Sequence, residues 1–146
     1  MKTVLVFGTF DGVHPGHEFF LKEARKLGDR LVVCLARDTI VEQLKGRPSM
    51  RPEIERREGL AENSSVDEVV YGDRELGAYA ILELLAPDVI ALGYDQLDLK
   101  ADLERWLAEN KKQTELVEIQ SHNPELYKSS FVNQPFAGNR PGRPSA

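Results

Sequence analysis

Residues 31–36 read Leu31-Val32-Val33-Cys34-Leu35-Ala36, six apolar positions in succession. A strand with no polar face has to be covered on both sides, which is the situation of a central strand in a parallel sheet. A shorter β-branched and aromatic run occupies 3–7, and between the two runs apolar residues recur at helical spacing (Phe20, Ala24, Leu27) until Gly28-Asp29 ends the pattern. Strand, helix, strand in this order is a crossover unit, and crossovers connect parallel strands.

The rest of the chain repeats the alternation. The spacing predicts a short helix over 38–44 capped by Asp38, a basic loop at 45–51, and a helix over 53–62 with Pro52 as its first residue. A strand over 66–71, a helix over 78–85 and a strand over 89–92 follow. A helix over 99–110 carries Leu103, Trp106 and Leu107 on one stripe, and 115–119 alternates like a last strand. Five strands separated by helices imply a single Rossmann-like, doubly wound α/β domain over residues 1–132 with a five-stranded, mostly parallel sheet. Residues 133–146 hold Pro135, Pro141, Pro144, Gly138 and Gly142 with little apolar content and read as a disordered tail.

Composition narrows the function classes. With 146 residues the chain fits one domain, and Cys34, its only cysteine, excludes an intrachain disulfide framework or a multi-thiolate zinc site. No stretch approaches the ~20 apolar residues of a membrane span, and residues 1–7 are too short for a secretory core, so a cytoplasmic protein without a membrane partner is expected. A net charge of −5 argues against coating nucleic acid by bulk electrostatics, so any polyanion has to be gripped locally.

The segment equipped to do so is Gly8-Thr9-Phe10-Asp11-Gly12-Val13-His14-Pro15-Gly16-His17, where the first strand feeds the first helix. Open amides at a helix start favour an anion, glycine admits close backbone approach, and imidazoles donate hydrogen bonds to phosphoryl oxygens. In doubly wound sheets ligands lie beyond the carboxyl ends of the strands where the strand order reverses, which adds the loops after Ala36 and Leu92. The loop lacks the Lys-Ser/Thr pair of a Walker A motif and the glycine spacing of a dinucleotide fingerprint. A histidine-ligated metal would have to draw on distant carboxylates, because His122 is the only histidine besides His14 and His17.

This loop resembles the H-x-G-H signature of the nucleotidylyltransferases of the cytidylyltransferase-like group. Within that group, Ala36-Arg37-Asp38, Lys45-Gly46-Arg47, Glu55-Arg56-Arg57, Leu92-Gly93-Tyr94-Asp95-Gln96 and Ser129-Ser130-Phe131 look most like the archaeal-type FAD synthetases. Glycerol-3-phosphate cytidylyltransferases are nearly as similar at the front of the chain. The resemblance runs over residues 2–131.

It implies transfer of a nucleoside monophosphate from a nucleoside triphosphate to a phosphorylated acceptor with release of pyrophosphate, with ATP and FMN giving FAD. CTP with glycerol 3-phosphate or another polyol or sugar phosphate is the alternative, and a non-catalytic nucleotide-binding module is a second. By resemblance, His14, His17 and Lys45 are the catalytic candidates, and Thr9, Phe10, His14, His17, Gly93, Asp95, Ser129 and Ser130 contact the nucleotide. Asp11, Asp38, Arg47 and Arg56 contact or support the acceptor, and Asp11 is the candidate carboxylate for Mg2+. Each of these has a bland alternative: Asp38 as a helix cap, Lys45, Arg47 and Arg51 as a solvated loop, Gly93 as a turn residue. Phe10, Tyr94 and Phe131 are the aromatic rings available to an isoalloxazine, whereas Trp106 belongs to the core stripe. Relatives are often homodimers, but no apolar seam is legible.

Overall fold

A computed structural model describes residues 1–120. In chain order the elements are β1 (Thr3–Gly8), α1 (Pro15–Arg25), β2 (Arg30–Leu35), α2 (Asp38–Lys45), α3 (Glu53–Ala61), β3 (Glu68–Tyr71), α4 (Ala80–Leu85), β4 (Val89–Gly93), α5 (Leu97–Glu109) and β5 (Glu115–Ile119). The five strands form one sheet in the order β3-β2-β1-β4-β5, and every pairing is parallel. The expected α/β architecture is therefore present, and the sheet is wholly rather than mostly parallel. The proposed tail over 133–146, and Ser129, Ser130 and Phe131, lie outside the described residues.

Strand periodicity sorts the core into two layers. Val4 and Val6 of β1, Leu31, Val33 and Leu35 of β2, and Val89 and Ala91 of β4 face the layer closed by Leu21 and Ala24 of α1 and Leu60 of α3. The alternate residues Leu5, Val32, Cys34, Ile90 and Leu92 face the layer closed by Leu82 of α4 and Leu103 of α5. Side chains of successive strand residues point to opposite faces, so an unbroken apolar run such as that of β2 is what burial on both faces requires. Trp106 sits in the second layer with its ring 6.1 Å from that of Tyr79, as core packing. Burial, followed by the negative charge of Asp73, pushes the Cys34 thiol up to about 12, so it stays protonated.

Several element starts differ from the periodicity reading for identifiable reasons. Asp38 is the first residue of α2 rather than its cap; Arg37 occupies the cap position and makes no side-chain capping bond. Pro52 likewise precedes α3 as its cap. Helix α4 begins at Ala80 because Tyr79 takes a left-handed conformation (φ 54°) and donates its hydroxyl to Asp102 Oδ2 at 2.6 Å. Among the described residues no helix is long and apolar enough to cross a membrane.

The strand order reverses between β1 and β4. These strands pair only at Val4–Val89 and Leu5–Ile90, so their carboxyl ends part and open a crevice. Gly8 stands at its edge under the ring of Phe10, a residue with φ 49° and only 2% exposed. A Cβ on Gly8 would come within 2.5 Å of that ring. Gly8→Ala is expected to lower stability by about 1–3 kcal/mol, the usual cost of overpacking, through displacement of Phe10. Denaturant titration of the variant beside the parent measures this, and an unchanged midpoint would show that the ring has room to move.

Candidate active site

The helix α1 starts at the mouth of the crevice, and its cap is a histidine. His14 has extended backbone (φ −119°, ψ 175°), and its Nδ1 accepts hydrogen bonds from the amides of Gly16 at 3.1 Å and His17 at 3.4 Å. Pro15 fits the first helical position because its fixed φ is helical and it has no N–H to satisfy. With Nδ1 accepting, the neutral ring carries its proton on Nε2, which leaves that N–H as a donor. Desolvation lowers the pKa of His14 below 6.5, against a smaller backbone hydrogen-bond contribution that raises it. The His17 ring stacks on it with centroids 3.7 Å apart and planes at 20°, and Phe10 meets His17 edge-on at 5.2 Å. Phe10 is buried and packs beneath this loop.

On the β2 side of the crevice the anchor is Arg56 of α3, 2% exposed. Its Nη1 donates to the carbonyls of Thr9 and Ala36, both at 2.9 Å; Nε donates to the carbonyl of Arg51 at 3.0 Å, and Nη2 to Asp38 Oδ1 at 2.7 Å. Four of the five guanidinium donors are therefore spent on holding the loops after β1 and β2 and the segment before α3 in one frame. Asp38 and Glu53 cap each other's helices: the Asp38 amide donates to Glu53 Oε1 at 2.7 Å and the Glu53 amide to Asp38 Oδ2 at 3.2 Å. This is the reciprocity of a capping box, here between two helices rather than within one. Burial pulls the Asp38 carboxyl up, but the hydrogen bonds from Arg56, the Glu53 amide and Ser49 outweigh it and hold the group below its usual range.

The basic loop lies against the first loop. Asp11 accepts the amides of Met50 at 2.6 Å and Arg51 at 2.9 Å, one on each carboxylate oxygen. Lys45 closes α2, and Gly46 ends the helix in the left-handed conformation (φ 72°) that glycine adopts without strain. Desolvation and then the charge of Arg47 push the Lys45 ammonium below the usual lysine range, while Asp11 pulls it up and Arg56 adds to the lowering. Lys45 and Arg47 are exposed, so their charges are available at the surface of the loop.

Across the crevice, β4 ends in Gly93. A Cβ there would lie 2.9 Å from Asp95 Oδ1, so a larger residue would displace the Asp95 side chain. Gln96, a residue absent from the sequence-derived site set, bridges the parted strands: its Oε1 accepts the Gly93 amide at 2.8 Å and its Nε2 donates to the Phe7 carbonyl at 3.1 Å. It supplies the hydrogen bonds a strand ladder would make and keeps the crevice open. The motif Leu92-Gly93-Tyr94-Asp95-Gln96 points to this loop, but the bridging role of its glutamine follows only from the reversal of strand order.

The structure thus brings Thr9, Phe10, Asp11, His14, His17, Asp38, Lys45, Arg47 and Arg56 into one continuous system and puts Gly93 and Asp95 on the facing side. Residues 5–134 match the family model described as Cytidylyltransferase-like. The FAD synthase of Aciduliprofundum boonei is 49% identical over 96 residues, a match that takes in 66% of this chain and 63% of that protein. The FAD synthase of Thermococcus sibiricus is 42% identical over 130 residues, 88% of this chain and 84% of that one. Among solved structures, the lipopolysaccharide core biosynthesis protein from Thermoplasma volcanium superposes with a TM-score of 0.77 at 32% identity, covering 84% of this chain and 99% of its own.

The capping role of His14 has a pH signature. Its folded pKa is lowered, so its contribution to stability is complete above the unfolded value of 6.5 and is lost as pH falls through the folded value. An NMR titration is expected to give a His14 midpoint below that of an unstructured histidine, with cap-dependent stability falling over the same interval. A midpoint at or above 6.5 would mean that the imidazolium, not the imidazole, starts the helix.

Proposed function

The chain belongs to the cytidylyltransferase-like family, and we propose that within it the protein is an FMN adenylyltransferase, joining ATP and FMN to give FAD and pyrophosphate. The observation that carries this reading is the histidine pair at the start of α1, set where the strand order reverses and flanked by the Lys45 and Arg47 loop. The 49% and 42% identities to archaeal FAD synthases support the choice of substrates.

In this reaction an oxygen of the FMN phosphate attacks the α-phosphorus of ATP, the bond to the bridging oxygen breaks, and pyrophosphate leaves with that electron pair. The attacking phosphate is already ionised at neutral pH, so the protein need not supply a general base. What remains is to align two polyanions and to stabilise the charge that builds on the α-phosphate. His14 donates from Nε2–H, the proton fixed there by the capping bonds to Nδ1. His17 sits stacked beside it, and the positive end of the α1 dipole favours the same negative charge. Lys45 and Arg47 offset the repulsion between the two substrates. Thr9 and Phe10 shape the backbone beneath the phosphates, and Gly93 and Asp95 border the nucleoside from the opposite side.

A divalent cation such as Mg2+ would be held with the nucleotide. Among the described residues no three His, Cys, Asp or Glu side chains gather as a metal site, and both oxygens of Asp11 already accept amides. That donor set fits an ion held mainly by phosphate oxygens, with Asp11 as the candidate carboxylate beside it. Bound there, the ion would neutralise charge on the triphosphate.

Purified protein is to be incubated with Mg2+, ATP or CTP, and FMN or glycerol 3-phosphate, with pyrophosphate release as the readout. Release is expected with ATP and FMN. Release with CTP and glycerol 3-phosphate alone would reassign the substrates, and calorimetric binding of nucleotide without release from any pair would make the protein a binding module. His14→Ala is expected to reduce turnover by roughly 10²–10³-fold, as loss of one aligned oxyanion donor does, and His17→Ala to do likewise. Unchanged turnover in both would remove the histidines from the chemistry.

A further inference from the structure

The turn that presents Asp11 is unusually constrained for a loop. Phe10 and Gly12 both have positive φ, 49° and 95°, and the Gly12 amide bonds back to the Phe10 carbonyl at 3.0 Å, so Asp11 sits at the apex of a three-residue turn. Its carboxylate reaches across 39 and 40 positions of sequence to two successive amides, those of Met50 and Arg51. The segment it grips contains no regular secondary structure, so these amides have no ladder or helix to satisfy them. From the other side the Arg51 carbonyl accepts Arg56 Nε at 3.0 Å and the Ser49 hydroxyl at 2.7 Å. Residues 49–51 are thus fastened by their amides to the first loop and by a carbonyl to α3.

We propose that Asp11 is a positioning residue: its carboxylate clasps the backbone at 50–51 and so fixes the far end of the basic loop that follows Lys45 and carries Arg47. The basic loop is anchored at its far end, with residues 46–49 spanning between α2 and the clasp. A carboxylate bound by charge-assisted bonds to two amides is strongly committed, since such bonds are roughly twice as strong as neutral ones. Asp11 therefore acts on the substrates through the placement of Arg47. Its negative charge also acts on the Lys45 ammonium. The identity of the ligand rests on the adenylyltransferase reading above; the clasp does not.

The test compares wild-type protein with Asp11→Asn, which keeps the size of the side chain but turns a donor toward one of the two amides, and with Met50→Pro, which removes one amide and leaves the carboxylate intact. Amide hydrogen exchange is read at residues 50 and 51, ATP affinity by calorimetry, and half-saturating Mg2+ in turnover. Asp11→Asn is expected to speed exchange at both amides by ~10-fold or more and to weaken ATP binding several-fold, with half-saturating Mg2+ unchanged. Met50→Pro is expected to weaken ATP binding in the same way although its Asp11 is untouched. Unaltered exchange in Asp11→Asn overturns the clasp. Unaltered ATP affinity in either variant, or a raised Mg2+ requirement confined to Asp11→Asn, overturns the positioning role in favour of a direct metal contact. Absence of turnover in the wild type would sink the adenylyltransferase reading, but exchange and ATP binding would still decide the clasp.

Discussion

A buried guanidinium holds this site together. Removing Arg56 from water is costly, and the cost is offset only because three main-chain carbonyls and one carboxylate receive it. Those carbonyls belong to Thr9, Ala36 and Arg51, which lie after β1, after β2 and just before α3. Loops at the carboxyl ends of parallel strands have no ladder partners of their own, so a common donor converts three separate ends into one surface. The Asp38 carboxylate is half-exposed, so its ion pair with Arg56 is screened and counts for less than the buried carbonyl bonds.

From that frame the chemistry follows by short steps. Gly8 lets Phe10 fold over the end of β1, Phe10 supports the edge of His17, and His17 stacks under His14. His14 spends one nitrogen on capping α1 and thereby directs the proton on the other outward. On the far wall Gln96 replaces the missing strand contacts between β1 and β4 and leaves the space between them for a ligand. Rigid elements hold the donors before substrate arrives, which is the condition under which electrostatic stabilisation is most effective.

The sheet was legible because its signals are local. The apolar run at 31–36 and the alternation at 115–119 each declare a strand within a few residues, and the spacing of the histidines after β1 marks the turn that feeds α1. The supporting bonds were not legible, because each joins positions far apart in the chain. Asp38 looked like a cap for its own helix, and its carboxylate instead caps α3, 15 residues on. Arg56 and Arg57 are indistinguishable as letters, yet one is buried and the other exposed, a difference set by which face of α3 meets the sheet. Asp11 in a loop of this type suggested a metal or acceptor contact, and its partners, Met50 and Arg51, have no side-chain pattern that announces an amide pair.

The most direct test of this account is the affinity for ATP of Arg56→Lys, measured by calorimetry at a temperature where circular dichroism shows the native fold. Lysine keeps the charge but cannot present a planar fork to carbonyls on several sides. Affinity is expected to fall by ~10-fold or more, the equivalent of about 1.4 kcal/mol, because the loops after β1 and β2 lose their shared donor. Wild-type affinity in the folded variant would mean that the site is held by something other than this guanidinium.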